Sequence, residues 1–307
     1  MNTDKHSLVA WLLLAVLAFS CGKKKATEPE QKTPAITPPV QLTTTGGYDP
    51  AASPDGQWVV FNGGGVIAKI KPDGTGLDTI TDAGGGDPDW SDWTRKGNLI
   101  VIGTVATLDA TTGEIQLVAY DDCYESNPVW SPDGSQIAIT SRCPDRIVLI
   151  SYPGGDTSSV PCDDPDGGGC DGEGPTWSGD GNWLAFEDGL QILKVPKSGD
   201  TAQVVYDGSK DDKDVSQPAW SPDGKWIAFV REDSTATSFF DSVWNFFSYG
   251  HIWVADARGE SFGLWQVTTG PYSDFDPAWS PDSRFIYFSS NLPGQHRREI
   301  WKVGFSF

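Results

Sequence analysis

The chemistry open to this chain is mainly that of carboxylates. Its 307 residues carry 42 Asp and Glu against 22 Lys and Arg, for a formal net charge of −20, with three histidines and five cysteines. Such an excess of oxygen donors suits hard cations or basic partners. It excludes nucleic acid as a partner, because neutralising phosphates requires a basic face. One set of acids, Asp163, Asp164, Asp166 and Asp171, clusters in the stretch CDDPDGGGCDGE. That spacing could wrap calcium but lacks the ligand order of an EF-hand loop, and a structural loop pinned by Cys162–Cys170 is the competing explanation. Enzymatic groups are sparse. His251 and His296 are the histidines beyond the N-terminal leader, and no Gly-x-Ser-x-Gly elbow occurs.

A second set of polar residues is tied to a repeat. The segment SQPAWSPDGKWIAFV, from Ser216, has near-copies in DPAASPDGQWVVFN from Asp49, NPVWSPDGSQIAIT from Asn127 and DPAWSPDSRFIYFS from Asp276. In Ser-Pro-Asp-Gly, proline presets φ for a type I turn, and Gly takes the left-handed position that closes a hairpin with a bulge. The aromatic and β-branched flank reads as a buried strand. Anchored on Pro50, Pro88, Pro128, Pro175, Pro218 and Pro277, the units recur about every forty residues, the period of propeller blades. The residues before those prolines, Asp49, Asp87, Asn127, Gly174, Gln217 and Asp276, should then ring the mouth of a central channel, where calcium could be held through oxygen ligands.

Each unit continues with two further strands, which gives an all-β, six-bladed β-propeller of four-stranded blades. The last unit is one strand short at Phe307, and VQLTTT (Val40–Thr45) supplies it, so an N-terminal strand at about 40–45 should complete the sixth blade. Closing the ring in this way removes open sheet edges. Trp90, Trp130, Trp177, Trp220 and Trp279 recur at one blade position as packing residues, with Ala52 in the first blade.

The N-terminus is not part of this fold. LVAWLLLAVLAF (Leu8–Phe19) is an apolar run of signal-peptide length, shorter than a bilayer span. It ends in Ala18-Phe19-Ser20-Cys21, which resembles the lipobox of bacterial lipoproteins and implies lipid on Cys21. Residues 1–20 are then a signal peptide, 21–39 a Lys-, Thr- and Pro-rich tether, and 40–307 the propeller. With Cys21 lipidated, Cys123, Cys143, Cys162 and Cys170 form an even set suited to an oxidising compartment. Cys123 opens the third blade and Cys143 follows its second strand, so these two should pair, as should Cys162 and Cys170.

The repeated Pro-x-Trp-Ser-Pro-Asp-Gly followed by an apolar strand resembles the propeller of the TolB family. The resemblance spans roughly Val40–Phe307, and the α/β domain that precedes the propeller in TolB is replaced here by the tether. Unit two also departs, with SDWTRKG (Ser91–Gly97) in place of the turn motif. The resemblance implies a cell-envelope protein, held at the membrane through its lipid anchor, that acts as a non-catalytic scaffold for a protein partner. A calcium- or glycan-binding module and a metal-dependent polysaccharide lyase or hydrolase are the alternatives. The partner contact is expected in the long insertion of unit five, Arg231–Gly250, which carries Phe239, Phe240, Trp244, Phe246, Phe247 and Tyr249. The spacing of Phe240, Trp244 and Phe247 predicts a short amphipathic helix there.

Overall fold

A computed structural model describes residues 32–82, 91–95, 97–102, 105–119, 123, 127–143, 145–163, 165, 169–170, 172–240, 243–291 and 297–307, with backbone only at 82, 91, 145, 234–240 and 243–248. The hairpin repeats build six four-stranded antiparallel sheets arranged as a six-bladed β-propeller. Blade 5 shows the plan, with Val215–Trp220 innermost, then Trp226–Phe240, Val243–Asp256 and Leu264–Gln266 outermost.

Second strands such as Ile227-Ala228-Phe229 are apolar at consecutive positions because a blade buries both faces against its neighbours, and all three side chains are fully buried. The core is accordingly divided into six clusters, one at each interface between blades. Leu193 and Val195 of blade 4 pack with Ile147 and Leu149 of blade 3. Tyr287 and Ile300 of blade 6 pack with Val59 and Phe61 of blade 1. Fully buried phenylalanines recur in the second strands at Phe61, Phe186, Phe229 and Phe288, each contributing about 2–3 kcal/mol of transfer free energy.

The turns follow the chemistry read from Ser-Pro-Asp-Gly. The serine hydroxyl donates to the aspartate two residues on, at 2.6–2.7 Å in Ser53–Asp55, Ser131–Asp133, Ser178–Asp180, Ser221–Asp223 and Ser280–Asp282. The closing residue is left-handed at Gly56, Gly134, Gly181, Gly224 and Ser283. These aspartates are turn residues.

The ring closes through the N-terminal segment. Val40–Gln41 pairs with Trp301–Lys302, and an unexpected earlier strand, Ala35–Ile36, pairs with Phe305–Ser306. The folded unit therefore starts at Thr33, inside the stretch expected to be tether. Glu299, 4% exposed, holds the junction by accepting from Thr43 Oγ1 (2.7 Å) and Gly46 N (2.9 Å) and pairing with Arg297.

Two expectations are corrected. In blade 2 the tryptophan at the blade position is Trp93, not Trp90. Trp93 pairs with Ile100 as Trp130 pairs with Ile137, and Thr94 N donates to Leu99 O as Ser131 N donates to Gln136 O. Its innermost strand thus anchors on Ser91 rather than Pro88, because Thr94 and the left-handed Gly97 stand where Ser and Gly frame the turn in other blades. The insertion of blade 5 is likewise not a helix. Its residues extend the blade's second and third strands as one antiparallel ribbon, paired from Glu232–Gly250 to Phe240–Val243. The Thr, Val, Phe, Trp and Tyr content favours strands, and continuity with two formed strands overrides the helical spacing.

Candidate functional site

Every innermost strand has one edge without a sheet partner, and those edges surround the propeller axis. One residue before each anchoring proline the backbone turns left-handed, at Asp49 (φ 51°), Asn127 (88°), Gln217 (54°) and Asp276 (55°), with Gly174 (57°) in blade 4. The strand register slips at these positions in blades 1, 4, 5 and 6, which makes each a bulge. All five residues lie on the wall of one axial cavity of ≈ 280 Å³. Five of the six residues expected at the channel mouth therefore share one cavity wall. Asp87 lies outside the described residues.

Two ring residues, Gln217 and Asp276, bond to each other, while the buried Asn127 Oδ1 has no partner. Asp276, 7% exposed, accepts from Ser289 Oγ (2.6 Å) and Gln217 Nε2 (2.7 Å) and lies 3.4 Å from Arg298 Nη1. Gln217 Oε1 accepts from Asp276 N (2.9 Å), and Gln217 N donates to Glu187 Oε2 (2.7 Å). Glu187 stands directly opposite Glu173 across two strands of blade 4. Burial, reinforced by the Glu173 carboxylate, pushes the Glu187 carboxyl up to about 7, against the pull of the Gln217 N–H bond.

Farther along the cavity the wall is mostly proline, alanine and tryptophan, and blade 2 interrupts it. Asp92 occupies the position held by Ala51, Val129, Thr176, Ala219 and Ala278 in the other blades. Its Oδ2 accepts from Trp130 N (2.8 Å), the bridge to the next blade that Thr176 Oγ1 makes to Trp220 N (3.1 Å). Burial pushes the Asp92 carboxyl up to about 6. Arg95 stands where Pro54, Pro222 and Pro281 line the same cavity in other blades, and burial lowers its pKa while Asp92 opposes the shift. The motif break in SDWTRKG was visible in the sequence, but the assumed register concealed that it sends an acid and a base into the channel.

A third feature is the base of the blade 5 ribbon. Asp233 sits at a register shift between Glu232 and Ser234 and gathers donors from three residues. Trp253 Nε1 reaches Oδ2 at 2.6 Å, Gln266 Nε2 reaches it at 3.2 Å, and Arg231 Nη1 reaches Oδ1 at 2.9 Å. His251 Nδ1 lies 3.2 Å from Oδ2, while its Nε2 bonds Gly270 O at 2.9 Å. Burial alone would lower the His251 pKa, but Asp233, the Gly270 carbonyl and Asp274 outweigh it and raise it. At 3% exposure, with Nε2 bonded to Gly270 O and Nδ1 beside the Asp233 carboxylate but outside hydrogen-bond geometry, His251 serves as a structural clasp. His296 lies outside the described residues.

Cys123–Cys143 and Cys162–Cys170 are both bonded, as the blade positions implied. Asp163 is exposed in a short strand, Cys162–Asp163, that pairs in parallel with Asp200–Thr201. Asp164, Asp166, Asp171 and Cys21 lie outside the described residues. Among the described residues no group of three or more His, Cys, Asp or Glu is arranged to hold a metal ion. Phe239, Phe240, Trp244, Phe246 and Phe247 fall in the paired strands of the ribbon, with Phe239 opposite Trp244 in register, and Tyr249 near its base is half-buried.

No protein-family model matches the chain, and no curated protein sequence matches it significantly. Solved structures do. A TolB structure from Agrobacterium tumefaciens superposes with a TM-score of 0.60 at 17% identity, covering 89% of this chain and 99% of that one. TolB from Acinetobacter baumannii also gives 0.60 at 16% identity, covering 85% of this chain and 63% of that one. Oligogalacturonate lyase from Vibrio parahaemolyticus gives 0.55 at 11% identity, covering 87% and 93%. At these identities the likeness is one of fold, and it supports a TolB-like propeller.

Proposed function

We propose that this protein is an envelope lipoprotein, held by lipid on Cys21, whose propeller is a non-catalytic scaffold for a protein partner engaged through the blade 5 ribbon. The observation that carries this is the ribbon itself. Hairpins between second and third strands end at Arg142–Asp145 in blade 3 and at Asp188–Gln191 in blade 4. Blade 5 continues for eight further pairs beyond Arg231–His251, or roughly 25 Å at about 3.3 Å per residue. Such a ribbon adds little to the blade cores, and its base is fixed by the Asp233 network. Phe239, Phe240, Trp244, Phe246, Phe247 and Tyr249 give it the aromatic composition typical of interface hot spots. The net charge of −20 selects a partner with a basic surface, so association should weaken with salt.

Crosslinking in intact envelopes tests this reading. Replacing residues 235–248 by Asn-Gly closes the hairpin on the Ser234–Tyr249 pair with a two-residue turn. The shortened protein should keep the parental melting temperature and lose the discrete crosslinked species formed by the full-length protein. Retention of every crosslink by the shortened protein would remove the ribbon from the interface. Cys21→Ser should release the protein from the membrane fraction, and unchanged membrane association would refute the anchor.

A further inference from the structure

The axial cavity has a polar feature that neither ring packing nor partner binding uses. Arg95 forms no hydrogen bond or ion pair with any described residue, and its electrostatic neighbour is Asp92. A guanidinium carries five N–H donors, and half-buried Arg95 on the cavity wall spends none of them on a described residue. A second donor is also unmatched. Trp93, Trp177, Trp220 and Trp279 each give their indole N–H to a backbone carbonyl at 3.0–3.3 Å. Trp130 is 5% exposed, and its Nε1 has no partner. Arg95 is half-buried on the cavity wall with Asp92 as its electrostatic neighbour, while the enclosed Trp130 Nε1 belongs to the packing between blades 2 and 3.

We infer that the axial cavity is a binding site for a small organic monocarboxylate bearing a neighbouring hydroxyl, with Arg95 taking the carboxylate and Asp92 accepting from the hydroxyl. A guanidinium matches a carboxylate in two parallel hydrogen bonds, which relieves the missing acceptors. One cation next to a carboxylate, inside a protein of net charge −20, favours a monoanion over a phosphate dianion. Asp92 gives Oδ2 to Trp130 N, and a carboxylate has about four lone-pair sites, so acceptor capacity remains for a ligand hydroxyl. The volume of ≈ 280 Å³ lies at the lower end of ligand pockets, about 300–1,000 Å³, and suits a small molecule. Trp93 and Trp130 supply flat apolar surface against its carbon skeleton. The site is independent of the ribbon, so either assignment can fail without the other.

The test is an equilibrium titration of the folded chain with sodium glycolate and sodium gluconate at constant ionic strength, followed by tryptophan fluorescence. Acetate, which lacks the hydroxyl, and glycolamide, which lacks the charge, are the comparison probes. Glycolate and gluconate should give saturable changes in the millimolar range or tighter, acetate should bind more weakly, and glycolamide should give none. Arg95→Gln should weaken binding at least about tenfold, the scale of one lost charge-assisted contact. Asp92→Asn should erase the preference of glycolate over acetate. Arg142→Gln, an exposed arginine outside the cavity, should bind as the parent does. If Arg95→Gln fails to fold, Arg95→Lys keeps the charge and loses the fork, and it should also bind more weakly. Absence of saturation with both hydroxy acids, or full binding by a folded Arg95 variant, would overturn the assignment.

Discussion

Replacing Glu187 by Gln should stabilise the protein at pH 8 and leave it nearly unchanged at pH 5. The side chain is held against the ring by Gln217 N, and its carboxyl is raised from 4.5 to about 7 by burial and by Glu173. An acid whose folded pKa lies above its unfolded one keeps a proton in the native state that the unfolded chain has already released. Stability contributed by this group is therefore full below about pH 4.5 and is lost as pH rises through about 7. At roughly 1.4 kcal/mol per unit, the shift corresponds to about 3 kcal/mol at pH 8, an upper figure because Glu173 is itself exposed and solvent screens the pair. Gln preserves the acceptor for Gln217 N and removes the charge, so it should recover most of this. In a domain of this size that is a rise of roughly 5 °C in melting temperature. Urea unfolding of both proteins from pH 5 to pH 8 measures the difference directly. A stability difference that stays flat across that range, or a variant weaker than the parent at pH 8, would refute the account.

Glu299→Ala removes the acceptor of Thr43 Oγ1, Gly46 N and Arg297, so it should cost about 2–4 kcal/mol by loosening the closure, read by chemical denaturation. Gly179→Pro restores the turn motif of the other blades yet should destabilise by at least about 2 kcal/mol, since a Cβ at Gly179 would sit 2.0 Å from Pro222 O; an unchanged melting temperature would show that the neighbouring turn can yield. Reducing Cys123–Cys143 and Cys162–Cys170 should lower stability by about 2–4 kcal/mol for each bridge, measured with single Cys→Ser pairs, because each bridge constrains the unfolded chain.

The fold was legible because its determinants are local and repeated. Ser-Pro-Asp-Gly fixes each turn through its own serine–aspartate bond, and runs such as Trp226-Ile227-Ala228-Phe229 declare strands buried on both faces. What misled was similarity between neighbouring residues. Blade 2 contains two tryptophans three residues apart, and Pro88-Asp89-Trp90 matched the repeat better than Ser91-Asp92-Trp93 did. The pairing of Trp93 with Ile100 is settled by the second strand, whose apolar run must face both neighbouring blades. In blade 5, Phe240, Trp244 and Phe247 satisfy a helical period, but whether they fold so depends on the two strands they continue, which spacing alone does not weigh.

The site was legible only in part, for a related reason. The mouth residues stood out because each precedes a proline at a repeated position, and the left-handed backbone at Asp49, Asn127, Gln217 and Asp276 explains why Asp, Asn and Gly predominate there. Two of them, Gln217 and Asp276, spend their polar groups on each other in a reciprocal pair, while the buried Asn127 Oδ1 has no partner. The repeat thus marks what the ring requires to hold itself together. Blade 2 breaks the repeat at Asp92 and Arg95, which the ring closes without: Ala, Val or Thr suffices at the first position, and Pro or Gly at the second. A desolvated carboxylate and a guanidinium without a described partner are costlier there than alanine and proline. In a fold built from copies, a costly departure confined to one copy and directed into the shared cavity locates the chemistry that the copies themselves do not supply.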